Sequence, residues 1–80
     1  MFSYSMTLKQ TIRELNRNEN GVEISRLVDS MRRSTIRFMG IPVHWTYADI
    51  RDCFMRCDPS IDAARFEELM QLADYAPGSA

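Results

Sequence analysis

The chain has 80 residues, 45% hydrophobic and 26% charged, with a formal net charge of −1. That is one domain, near the small end of what folds without disulfide or metal staples. The balance excludes a strongly basic nucleic-acid binder, and no apolar run approaches the roughly eighteen residues that a membrane span needs.

In chain order, the first helix is expected to start at Thr7, with Gln10 completing a capping box and Leu8, Ile12 and Leu15 on one face. An Asn-rich turn ends it at Gly21. A second helix is predicted from about Glu23 to Met39, with Ile24, Leu27, Val28, Met31, Thr35 and Phe38 as its inward stripe. Gly40 then supplies a left-handed cap and Pro42 enforces the stop. A short apolar linker, 40–45, leads to Trp45, placed to staple onto Ile50. Thr46 and Asp49 form a second capping box, and helix three follows over 47–57 with Ile50, Cys53, Phe54 and Cys57 at i, i+3, i+4, i+7. Helix four is expected over about 61–75, with Phe66, Leu69, Met70 and Ala73 as its stripe, and the tail 76–80 is expected to be loose. The expected fold is therefore all-α, four helices in a single domain spanning 1–80, paired as units 7–39 and 46–75.

The stretch TYADIRDCFMRCDPSIDAARFEELM resembles an EF-hand of the calmodulin and myosin light chain superfamily: two helices flank a turn in which Asp58, Ser60 and Asp62 alternate oxygen-bearing side chains. A weaker copy, IRELNRNENGVEIS, alternates Asn16, Asn18 and Asn20 and has Gly21 at the sixth position, where such a loop turns sharply. The departures point away from calcium. A twelve-residue loop counted from Asn16 ends at Leu27, and one counted from Asp58 has Ala63 at the turn and ends at Leu69. Glu68 arrives one residue early, about 100° out of place on a helix. No metal is expected to be required; any weak calcium site would use Asp58, Ser60, Asp62 and Glu68. Each motif is also an ordinary turn, since Asn and Gly accept positive φ and D-P-S-x-D caps a helix well.

The resemblance implies a calcium-insensitive, calmodulin-like or light-chain-like lobe that binds an amphipathic, basic helix of a larger protein, an IQ motif of a myosin-like chain, as a constitutive subunit. Met31, Phe38, Met39, Phe54, Met55, Phe66 and Met70 would line the trough, because thioethers and aromatic rings repack around foreign side chains. Asp49, Asp52, Glu67 and Glu68 would steer the basic partner. The charge division fits: seven basic and four acidic residues give 1–40 a net +3, while three basic and seven acidic residues give 41–80 a net −4. A second reading is a small stand-alone helical inhibitor or adaptor, of the kind mobile elements encode, whose acidic half covers a basic surface on a host complex.

A helix-turn-helix over 46–75 is disfavoured for nucleic acid, because its recognition helix would carry Asp62, Glu67, Glu68 and Asp74 against Arg65 alone. Enzymatic activity is not expected: the lone His44 lies in the linker with no nucleophile predictably beside it. The set His44, Cys53, Cys57 and Asp58 matches no structural zinc spacing. The start, MFSYSMTLK, lacks a secretory pattern, and two cysteines four apart on a helix suit no disulfide. A reduced, cytoplasmic setting without membrane association is the expectation.

Overall fold

The structure is a computed structural model, and it describes residues 6–75. Six elements follow one another: α1 (Met6–Asn18), α2 (Gly21–Arg33), β1 (Thr35–Phe38), β2 (Ile41–His44), α3 (Tyr47–Cys57) and α4 (Ala63–Leu72). The fold is mostly helical with a small two-stranded antiparallel sheet, so the purely all-α expectation needs correcting in its middle.

The correction has a local cause. Helix α2 stops at Arg33 and not at Met39, because Ser34 leaves the helix in extended backbone, with φ −85° and ψ 162°. Its N–H and its hydroxyl both donate to the Ser30 carbonyl, at 3.1 and 2.7 Å, satisfying an orphan acceptor of the last turn. Beyond it, Thr35, Ile36, Phe38, Ile41 and Val43 are β-branched or aromatic, types that fit a pleated strand better than a helix. Met39 and Gly40, with φ of 52° and 81°, close a two-residue hairpin turn that requires positive φ at both positions. Gly40 is left-handed as expected, but as a hairpin turn residue. The segment 40–45 expected as a linker is mainly strand β2.

Pairing is Thr35 with His44, Ile36 with Val43, Arg37 with Pro42 and Phe38 with Ile41. In a two-residue hairpin the pair flanking the turn exchanges hydrogen bonds and the next pair does not. Pro42 falls on a pair of the second kind, so its missing N–H costs the ladder nothing.

The core is assembled from one face of each helix. Ile12 and Leu15 come from α1, Ile24, Val28 and Met31 from α2, Ile50, Cys53, Phe54 and Cys57 from α3, and Phe66, Leu69 and Met70 from α4. Ile61 adds a side chain from the α3–α4 connection. Helix α1 packs on α3, α2 on α4, and α3 on α4. The Phe66 ring meets Phe54 and Tyr47 edge-on, with centroids 5.3 and 5.4 Å apart, an arrangement that places positive ring edges against negative faces. Among the described residues no polar or charged side chain is buried.

The helix ends carry the chemistry read from the sequence. Thr46 and Asp49 make the reciprocal capping box of α3. Asn20 caps α2 by accepting from the Val22 and Glu23 amides. Asp62 caps α4, accepting from the Arg65 amide at 2.7 Å, so α4 starts at Ala63 and Ile61 is released into the core. The box expected at Thr7 and Gln10 is not formed: Met6 is already helical, so Thr7 lies within the helix and not at its cap, and its carbonyl accepts from the Thr11 hydroxyl. The expected tail, 76–80, lies outside the described residues.

Gly21 has a different role from the one its turn-like setting suggested. It is the first residue of α2, and a Cβ built there would lie 2.1 Å from the Leu72 carbonyl oxygen. The start of α2 and the end of α4 touch backbone to backbone.

Candidate functional site

The residues expected to line a trough divide between two places. Met31, Phe54, Phe66 and Met70 are in the core, and Met55 is half-buried against it. These side chains fill the space between the helices of this chain. Phe38 and Met39 stand apart on the hairpin, 62% and 87% exposed. The surface depressions at the α2–α4 contact are shallow; one is lined by Glu19, Glu68, Gln71 and Leu72. The other lies over Gly21 and Val22.

The acidic groups expected to ring that trough have partners within the chain. Asp49 accepts from the Thr46 amide at 2.9 Å. Asp52 lies 3.9 Å from Arg51, and Glu68 pairs with Arg65 at 3.0 Å. Glu67 accepts from the Tyr47 hydroxyl at 2.9 Å. Burial, followed by this bond and the carboxylate charge, pushes the Tyr47 phenol up to about 12.

The two calcium-loop signatures meet each other, and the charge between them is a guanidinium. Only Glu19 and Asn20 separate α1 from α2, so Asn16 and Asn18 are helical and no twelve-residue loop forms in the first copy. The Asn16 amide donates to Asp58 at 3.0 Å and to Ser60 at 3.1 Å. Arg65 donates to the Asn16 side-chain oxygen at 2.6 Å and to its carbonyl at 2.7 Å, and reaches Glu19 and Glu68. Asp58 also accepts from the Ser60 amide and hydroxyl. Burial raises the Asp58 carboxyl, but the Ser60 and Asn16 bonds and the nearby Arg13 charge outweigh it and hold the group below its ordinary value. Asp58 and Ser60 are thus tied to each other and to Asn16, while Asp62 caps a helix and Glu68 pairs with an arginine. Among the described residues no three His, Cys, Asp or Glu side chains gather as a metal site. Sequence reasoning missed Arg65 as the organiser of this knot; its signal was a lone cation among acids.

Among the described residues, the arrangement whose apolar face is left largely uncovered is the hairpin. Directly paired residues share a sheet face, and successive pairs alternate faces. Ile36, Phe38, Ile41 and Val43 therefore lie on one face, while Thr35, Arg37, Pro42 and His44 lie on the other. The apolar face grades from tip to base: Phe38 and Ile41 are exposed, Ile36 is half-buried, and Trp45, two residues beyond Val43, packs against the core. Arg37 braces the tip by donating to the Gly40 carbonyl at 2.9 Å. Residues 30–48 contain no acid and include Arg32, Arg33, Arg37 and His44. Sequence reasoning named Phe38 and Met39 but set them on a helix; the period-two alternation around Met39-Gly40 was the signal that could have placed them.

His44 is exposed on the polar face of the hairpin, whereas Cys53 and Cys57 are both buried, with sulfurs 4.0 Å apart. Burial raises the Cys57 thiol above its ordinary value and keeps it protonated. No helix is long and apolar enough to cross a membrane among the described residues. In comparison with known proteins, the chain matches no family model, no curated protein and no solved structure.

Proposed function

We propose that this chain is a protein-binding module of the adaptor or inhibitor type, whose recognition element is the apolar face of the β-hairpin and which carries out no reaction of its own. One observation carries the reading: a two-stranded hairpin holds four apolar side chains on one face and turns that face's outer half to solvent. Isolated hairpins are marginal in water, and contiguous exposed apolar surface marks interaction sites. Trp45 anchors the base to the core, so the face is presented on a fixed support. The alternative of a light-chain-like lobe gripping a basic helix requires Phe54, Phe66 and Met70 to be accessible, and all three are fully or almost fully buried. Their burial favours the hairpin over the helical interior as the docking surface.

The test is site-specific photo-crosslinking in an extract of the source cells, with the probe at position 38, 41 or 22. Val22 serves as control because its exposure, 62%, equals that of Phe38. A discrete adduct from positions 38 and 41, absent from 22 and competed by the unlabelled chain but not by its Phe38→Ser/Ile41→Ser variant, is the expected result. The same adducts from all three positions, or none from the hairpin, would refute the reading.

A further inference from the structure

Building on the hairpin as the docking element, we propose that the outer edge of β1, which pairs with no strand among the described residues, accepts an extended segment of a partner protein in which apolar and acidic residues alternate. The two edges of this sheet differ in chemistry. Thr35, Arg37, Pro42 and His44 belong to the pairs that exchange no hydrogen bonds across the hairpin. Their main-chain groups point outward, to the edges. On β2 one of the outward positions is Pro42, which has no N–H to offer. On β1 the outward positions are Thr35 and Arg37, each with an N–H and a C=O. Strand addition uses such groups for affinity and alternate side chains for specificity. Only the β1 edge offers the full set.

The side chains of an added strand would alternate between the two faces. Those on one face would extend the apolar row beside Ile36 and Phe38. Those on the other would stand beside Thr35 and Arg37. Charge selects what they are. Arg33 and Arg37 lie within the acid-free stretch 30–48. The nearest acids in sequence are Asp29, on α2, and Asp49, whose carboxylate is held in the α3 capping box. Arg37 bonds to Gly40 through one nitrogen, which leaves further donors of its guanidinium fork for a carboxylate. A second copy of this chain on the same edge would bring two sets of these cations together, an unfavourable like-charge juxtaposition. The chemistry favours a foreign, acidic strand.

The experiment is an NMR titration of the full chain with a synthetic peptide of alternating valine and glutamate, alongside the peptide with lysine in place of glutamate. The acidic peptide is expected to shift the Thr35 and Arg37 amides, and the lysine peptide to bind at least about tenfold more weakly. Binding should weaken by about tenfold between 0.05 and 0.5 M salt, as screening removes the charge term. Arg37→Glu should remove most of the preference between the two peptides. N-methylation of the peptide amides on alternate residues should abolish binding in one phase and spare it in the other. If the peptides move Phe38 and Ile41 side-chain signals but leave the β1 amides unmoved, or both methylation phases bind alike, the edge proposal fails while the hairpin reading stands. Equal binding of both peptides, no shift at any hairpin residue, or a dimer paired through β1 overturns the proposal. Absence of hairpin shifts together with absence of crosslinks from position 38 removes both.

Discussion

Gly21 offers a test of the packing that is independent of function. A side chain at this position meets the Leu72 carbonyl oxygen at 2.1 Å and its carbon at 2.9 Å. Both are backbone atoms, so no rotamer change relieves the overlap. Ordinary contact begins at 3.4 Å, and α2 and α4 would have to part by roughly 1.3 Å, a large displacement for a close-packed interior. Overpacking costs about 1–3 kcal/mol, and a clash with backbone atoms that no rotamer relieves falls in the upper part of that range, about 2–3 kcal/mol. Alanine recovers up to about 1 kcal/mol over glycine through helix preference, which leaves Gly21→Ala less stable by about 1–2 kcal/mol. For a domain of this size that lowers Tm by about 4–16 °C, readable by circular dichroism during heating. Gly21→Asn separates two explanations of the glycine. If Gly21 served a turn with positive φ, asparagine would be accepted well. Because the glycine serves a close approach, asparagine should be at least as harmful as alanine. Wild-type stability in the Asn variant, or in both, would refute the contact between α2 and α4.

Four further outcomes follow from other parts of the molecule. Arg65→Met should lower the urea midpoint by the equivalent of about 1–2 kcal/mol at unchanged m, because two Asn16 oxygens at 2.6 and 2.7 Å lose their donor. Arg65→Lys should restore less than half of the loss, since an ammonium lacks the guanidinium fork. Phe66→Ala should cost about 3–5 kcal/mol, a large share of the stability of a domain this small, whereas Phe66→Leu should cost about 1.5 kcal/mol, both read by denaturant titration. The Tyr47 phenol should ionise near 12 by ultraviolet difference absorbance. Its folded form holds the proton more tightly than the unfolded form does, so this contribution is intact below pH 10 and is lost as pH rises from 10 through 12. Glu67→Gln should shift that titration downward but leave it above 10, because burial is the larger cause. Met39→Asn should leave Tm unchanged or raise it slightly, since asparagine accepts the φ of 52° better than methionine does; a lower Tm would contradict the turn described here.

Helix three and the cores of the other helices were legible because each signal was local and repeated. The stripe Ile50, Cys53, Phe54, Cys57 is buried throughout, and its capping box is formed as read. Helix two went wrong at the point where two periods overlap. Thr35 and Phe38 continue the 3.6-residue stripe of Val28 and Met31, but Ile36, Phe38, Ile41 and Val43 also obey a period of two about a Met-Gly turn. The contest is decided by strand preference and by Ser34 ending α2, and propensities of this size do not decide it from sequence alone. The candidate site was therefore named in part, through Phe38 and Met39, and placed on the wrong element. The contact between the two loop signatures was not legible for a tertiary reason. Nothing near Asn16 or Asp58 in sequence announces that Arg65 will stand between them, because that depends on α1, α3 and α4 coming together.

The separation of hairpin and core also bears on how the proposed docking surface stays folded. The core closes without β1 and β2: none of their residues is buried, and the aromatic contacts run through Phe54, Phe66 and Tyr47. The hairpin depends on its two ends, Ser34 turned back on Ser30 and Thr46 locked in its capping box, on Trp45 packed at the base, and on the Arg37 bond at the tip. Its apolar face therefore adds little burial to the folded monomer, and its side chains can change with little effect on the stability of the helices. Under the proposed reading, stability and recognition rest on different residues. That division is what a small binding module requires, because a domain with roughly 4–12 kcal/mol of total stability cannot lend core side chains to a partner and remain closed.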